Sequence, residues 1–239
     1  MSIPVLFLIP TPIGDDPLGS ALPDSVFETV SRLDHFIVEN EKTARKFIKS
    51  ICPEKDQSSI SLFVLNQHTN QTHIPSFLDP CSQGFSIGLL SEAGCPAVAD
   101  PGSEIVAIAH HRGLIVKPLV GPSSILLALM SSGFNGQKFK FNGYLPIDKK
   151  ERKIEIKRLE RKVYESQEAQ IFIETPYRSQ GLIEDLMKIC QDETMVCVAC
   201  DLNSPQEFIG SKSISAWKNH KIDLTKRPCI FIIGDTFYN

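Results

Sequence analysis

The chain has 239 residues, 42% of them hydrophobic and 22% charged, with a formal net charge of −3. That length suits one large unit or two smaller domains of a soluble globular protein. It has no run of eighteen apolar residues, which argues against a membrane span, and its overall acidity argues against a generic nucleic-acid binder. Met1-Ser2-Ile3-Pro4 lacks the basic region of a secretory signal, so the cytoplasm is the expected compartment. Val5–Ile9 is a continuous apolar run and predicts a buried first strand, which runs into the stiff turn Pro10-Thr11-Pro12-Ile13-Gly14. Pro23-Asp24-Ser25 opens an amphipathic helix to about Leu33. His35–Glu39 reads as a strand ending in a carboxylate, Glu41–Ser50 as a helix and Ser58–Leu65 as a third strand. Residues 66–83 read as a loop with a short helix.

Ser86–Leu90 predicts a fourth strand. A long loop follows, Ser91-Glu92-Ala93-Gly94-Cys95-Pro96-Ala97-Val98-Ala99-Asp100-Pro101-Gly102, and a helix begins at Ser103 and runs to about His111. Loops of this length inside a compact domain are usually functional. Gly94 and Gly102 let backbone approach a ligand, and the prolines hold the loop in shape. Leu114–Leu119 is a fifth strand that enters Val120-Gly121-Pro122-Ser123-Ser124 and a helix to Ser132. The start of that helix suits a carboxylate and equally suits capping by Ser123.

Strands alternating with helices over residues 1–133 predict an α/β domain with a parallel sheet. Beyond the turn-rich Ser132–Gly136 the pattern changes, and residues 134–239 read as a second α/β domain with a mixed sheet. Its strands are Phe139–Leu145, Gln170–Glu174, Met195–Cys200, Glu207–Gly210 and Cys229–Gly234. A charged helix covers 148–166, with Arg152, Ile156, Leu159 and Val163 on one side. Another helix follows Thr175-Pro176-Tyr177-Arg178 and runs to about Cys190.

Ten basic and four acidic residues lie between Lys138 and Lys162, a net +6 that leaves −9 on the rest of the chain. Such a stripe reads either as a phosphate-binding surface or as a solvated helix face. Of the seven cysteines only Cys197 and Cys200 have CxxC spacing. On a strand they point to opposite faces, which suits reduced core thiols and not a metal, and no metal site is expected.

Taken together, Pro10-Thr11-Pro12-Ile13-Gly14, Ser91-Glu92-Ala93-Gly94-Cys95-Pro96, Ala99-Asp100-Pro101-Gly102 and Gly121-Pro122-Ser123 resemble the tetrapyrrole methylase superfamily. Phe141-Asn142-Gly143-Tyr144-Leu145-Pro146 and Ile173-Glu174-Thr175-Pro176-Tyr177-Arg178 extend the likeness. They bring it nearest to the group that 2′-O-methylates a cytidine of 16S rRNA. The resemblance implies a two-domain α/β homodimer that takes S-adenosylmethionine between its domains and acts on rRNA or the small ribosomal subunit. It assigns the cofactor to Pro10, Ser91, Ala93, Gly94, Ala99, Asp100, Pro101, Gly121, Pro122 and Ser123. A hydroxyl acceptor must lose a proton, and Glu39, Glu92, Asp100 and Glu174 all fall at or just past strand ends. Glu92 and Glu174 are the candidates on the acceptor side. The chain departs from the group's pattern at Asn40, at Glu92 (where Asp is usual) and at Asp201-Leu202-Asn203-Ser204. These departures leave open a methylase of a small molecule such as a tetrapyrrole, or a divergent module that binds cofactor or partner without catalysis.

Overall fold

The computed structural model describes residues 3–14 and 21–235; Met1 and Ser2, on which part of the leader reading rests, lie outside them. Contacts divide the chain after Ser123 into two units. The first contains β1 (Val5–Ile9), α1 (Asp24–Arg32), β2 (His35–Val38), α2 (Glu41–Ile51), β3 (Ser61–Val64), a 3-10 helix (Gln71–Leu78), α3 (Asp79–Ser82), β4 (Ile87–Leu90), α4 (Ser103–His111) and β5 (Ile115–Pro118).

Its five strands are all parallel, in the order β3-β2-β4-β1-β5. Successive strand residues point to opposite faces, and here both faces are covered. Phe36 and Val38 join a core with Ile9, Val26 and Ile48, while Ile37 joins another with Leu6, Leu78 and Ile105. Neighbouring β1 and β4 send their chains in opposite directions. β1 leads to β2 beyond β4, and β4 leads to β5 beyond β1. Open α/β sheets bind ligands at the carboxyl ends of strands beside such a switch.

The second unit contains α5 (Ser124–Ser132), β6 (Phe139–Tyr144), α6 (Lys149–Ser166), β7 (Ala169–Glu174), α7 (Ser179–Ile189), β8 (Met195–Cys200), β9 (Phe208–Ser213), α8 (Ile214–Lys218) and β10 (Cys229–Gly234). Its sheet order is β6-β7-β10-β8-β9, with β6 and β7 parallel and the other pairs antiparallel. The wholly buried β10 lies at its centre. Trp217 is fully buried, and its indole N–H is satisfied by the Val196 carbonyl at 2.9 Å.

The sequence reading drew the boundary at 133, which gave α5 to the first unit; packing gives it to the second. α5 packs against β8, β9 and β10, and Ser211 donates to the Ser132 carbonyl at 2.6 Å. Turn residues after a helix mark where the chain bends and carry no information about which sheet the helix covers.

α6 starts where Asp148 accepts from the N–H groups of Lys150 and Glu151. Its buried side is Arg152, Ile156, Leu159, Glu160 and Val163. Arg152 therefore leaves the basic stripe. Its guanidinium donates to Asp185 at 2.8 Å and to the carbonyls of Pro146 and Ile147. Arg158, Arg161 and Lys162 are paired with glutamates on their own helix. Lys138, Lys140, Lys149, Lys150, Lys153 and Lys157 remain exposed and have no ion pair among the described residues.

Candidate active site

Three turns predicted to matter meet at the carboxyl edge of the parallel sheet. Thr11, just past β1, forms an isolated antiparallel bridge with Gly94, its N–H and carbonyl exchanging bonds of 3.0 and 3.1 Å. The buried Thr11 hydroxyl donates to the Ser91 carbonyl at 3.2 Å, and the Ser91 hydroxyl donates to the Gly94 carbonyl at 2.5 Å. The loop after β4 is thereby tied to the end of β1.

The turn after β5 closes on both. The Cys95 thiol reaches the Pro122 carbonyl at 3.4 Å. A Cβ on Gly121 would lie 2.2 Å from Pro10 Cγ, so only glycine lets these two turns pack. Gly94 has φ +77 and would place a Cβ 3.3 Å from both Ile13 and the Pro122 carbonyl. Ala97 and Ala99 also adopt left-handed backbone, with φ of 64° and 63°. Non-glycine residues avoid that region, and strain of this kind persists where surrounding structure holds it, often at ligand loops. Ala93 and Ala99 are exposed on this loop, Pro101 follows Asp100, and Ser123 ends the unit.

Carboxylates gather beside the same edge. Glu39 follows β2, Glu92 follows β4, and Asp100 lies near the end of the Ser91–Gly102 loop. Burial first, then Asp100 and Glu92, push the Glu39 carboxyl up to about 7, against a bond from the Glu92 N–H that favours its charge. Its Oε1 is buried and has no hydrogen-bond partner among the described residues. Burial, then Glu92, raises Asp100 as well. Glu92 itself is exposed, and the Thr43 hydroxyl donates to its Oε1 at 2.6 Å. A cavity of about 390 Å³ opens here, bounded by Thr11, Thr43, Lys46, Phe47, Ser91 and Glu92 among others.

Glu174 has other company. It sits in the second unit with its side chain 1% exposed, and its Oε1 accepts from the Thr175 N–H at 2.6 Å and from Arg178 Nε and Nη2 at 2.8 and 2.6 Å. Every contact the structure gives this carboxylate braces the β7–α7 turn. Thr43, Lys46 and Phe47 were missed in the sequence. One signal for them was the spacing of 43, 46/47 and 50 on one face of α2.

No protein-family model matches the chain. Among curated proteins, it is 31% identical over 209 residues to the ribosomal RNA small subunit methyltransferase I of Vibrio cholerae, spanning 86% of this chain and 67% of that protein. It is 30% identical over 220 residues to the protein of the same name from Bacillus subtilis, with 90% and 70% covered. The chain belongs to the ribosomal RNA small subunit methyltransferase I family. Among solved structures, the uroporphyrin-III-C-methyltransferase of Thermus thermophilus superposes with a TM-score of 0.56 at 14% identity, covering 96% of this chain and 94% of that one. That likeness speaks for the fold, a tetrapyrrole methylase fold.

Two departures from the family pattern have structural work in this member. Asn40 caps α2, its Oδ1 accepting from the N–H groups of Lys42 and Thr43 at 2.9 and 3.3 Å. Asp201 pairs with Arg227 at 2.5 Å. Asparagine caps a helix as well as aspartate does, so the change at position 40 leaves α2 in place.

Proposed function

We propose that this protein methylates a ribose 2′-hydroxyl of 16S rRNA, in the small ribosomal subunit, using S-adenosylmethionine. The observation that carries this reading is the meeting of the three turns at the carboxyl edge of the first sheet, in a chain whose relatives are named for small-subunit rRNA. Those names favour rRNA over a small-molecule acceptor.

The residues fit the cofactor. Gly94 lacks the Cβ that would fill the space beside Ile13 and Pro122, and Ala97 and Ala99 hold the loop in left-handed backbone. Pro10, Ser91, Ala93, Gly94, Ala99, Asp100, Pro101, Gly121, Pro122 and Ser123 are the residues that would hold it. When bound, S-adenosylmethionine supplies a methyl carbon on a cationic sulfur, open to in-line attack. The chain's task is to hold the acceptor oxygen in line and take its proton. Glu92, fixed by Thr43, faces the acceptor side. Glu39, whose carboxyl is pushed up to about 7 by burial, Asp100 and Glu92, is the carboxyl able to take the proton near neutral pH. Glu174 is the weaker candidate, since its carboxylate is committed to Arg178.

Calorimetry with S-adenosylmethionine, followed by a ribose-methylation map of 16S rRNA from cells with and without the protein, tests the reading. One missing 2′-O-methyl group is expected, and an unchanged map despite cofactor binding would overturn it. The unpaired lysines of α6 supply phosphate contacts in this picture. Reversing Lys149, Lys153 and Lys157 to glutamate is expected to weaken binding to small ribosomal subunits. It should also flatten the dependence of log K on log salt by about 2, since each lost phosphate contact removes roughly 0.7–0.9 from the slope.

The protein is read as a cytoplasmic homodimer. In support, Leu126, Met130 and Phe139 expose 50%, 79% and 40% of their surface around one groove, as faces that bind another chain do. No helix among the described residues is long and apolar enough to cross a membrane.

A further inference from the structure

The cavity beside α2 offers three chemistries within one small space. Lys46 is exposed and has no ion pair among the described residues. Phe47 is partly buried against the core that includes Val38, Ala44 and Ile48, and it also lines the cavity. Glu92 lines the same cavity, its carboxylate accepting from the Thr43 hydroxyl at 2.6 Å.

A cation, a flat apolar surface and an oriented hydrogen-bond acceptor match the three parts of a nucleotide: phosphate, base and ribose hydroxyls. The volume of about 390 Å³ falls near the small end of ligand clefts, roughly 300–1,000 Å³. Chemistry on a nucleotide within a folded RNA requires that nucleotide to leave its stack, and single bases so exposed are received on aromatic side chains.

We infer that this cavity receives one unstacked nucleotide of the acceptor RNA, with Lys46 against its phosphate, Phe47 against its base and Glu92 toward its ribose. The inference rests on the rRNA reading above and adds to it the seat of the target nucleotide. Thr43 becomes a positioning residue, acting through Glu92. Lys46 and Phe47 then govern acceptor affinity and leave cofactor affinity alone.

The test uses two probes on the full chain. Cytidine 5′-monophosphate and cytidine are compared by saturation-transfer NMR, and small ribosomal subunits from cells lacking the protein serve as methyl acceptors with labelled S-adenosylmethionine. Lys46→Glu is an exposed change, and Phe47→Leu keeps the core contact; unchanged melting temperatures verify that both variants fold.

Lys46→Glu is expected to weaken the monophosphate at least fivefold and to leave cytidine unaffected. Phe47→Leu is expected to weaken both probes. Each variant should raise KM for subunits about tenfold, with the Kd for S-adenosylmethionine unchanged. Wild-type protein that methylates subunits, while both variants match it in KM and in nucleotide binding, would overturn the pocket and leave the function standing. Wild-type protein that binds the monophosphate through Lys46 yet methylates no subunit would overturn the function and leave the pocket standing.

Discussion

Replacing Glu39 with glutamine is expected to give a protein that is slower and, at pH 8, more stable. The Glu39 carboxyl is pushed from its ordinary 4.5 up to about 7 by burial and by the nearby Asp100 and Glu92. A folded value above the unfolded one means that its contribution to stability is complete below about pH 4.5. That contribution is lost as pH rises through 7. Glutamine mimics the protonated form and carries no such dependence. Because the carboxyl is partly solvated, the difference between the two proteins at pH 8 is about 1 kcal/mol once solvent screening is allowed for. That corresponds to a melting-temperature gap of roughly 2–4 °C for a chain of this size, closing by pH 5.

The kinetic arm moves the other way. A positioned carboxylate that takes a proton is worth about 10²–10⁴-fold, so kcat on small ribosomal subunits should fall by at least about 10². The rise in rate through neutral pH, set by the Glu39 carboxyl, should vanish. Scanning calorimetry at pH 5 and 8, with kcat measured across the same range, checks both arms. A stabilised variant with the wild-type pH–rate profile would reduce Glu39 to a structural role.

Glu39 also marks where sequence reading stops. Its place at the end of a strand was legible, because His35-Phe36-Ile37-Val38 is a short apolar run and a helical stretch follows from Glu41. Which strand-end carboxylate would be buried was not legible, since that depends on β2 lying next to β4, a neighbour that is distant in sequence. Glu174 is decided by a local partner instead. It has the same local setting, a carboxylate after an apolar strand, yet an arginine four residues on claims it. Periodicity fared better. It placed Arg152 on the apolar side of α6, although counting charges along the window put the same residue in the basic stripe. The spacing of the glycine-proline turns showed that they were exceptional, and parallel pairing of β1 with β4 and β5 then brought them together.

Gly121→Ala is expected to disable the site through one methyl group. The new Cβ would stand 2.2 and 2.4 Å from Cγ and Cβ of Pro10, a rigid ring with no rotamer to yield. Pro10 is anchored in turn, because Thr11 beside it is bridged to Gly94 through both backbone bonds. Relief must therefore come from separating the turns after β1 and β5. Overpacking of this kind costs about 1–3 kcal/mol, or roughly 3–10 °C in melting temperature. The larger effect falls on function. Separating the turns pulls Pro122 from Cys95 and loosens the loop from Ser91 to Gly102, so affinity for S-adenosylmethionine should drop at least tenfold in calorimetry. Gly136→Ala is the control, since a Cβ there meets nothing within 4 Å among the described residues; it should leave both melting temperature and affinity unchanged. A Gly121→Ala protein that binds the cofactor as the wild type does would mean that the packing of Pro10 on Gly121 serves the fold alone.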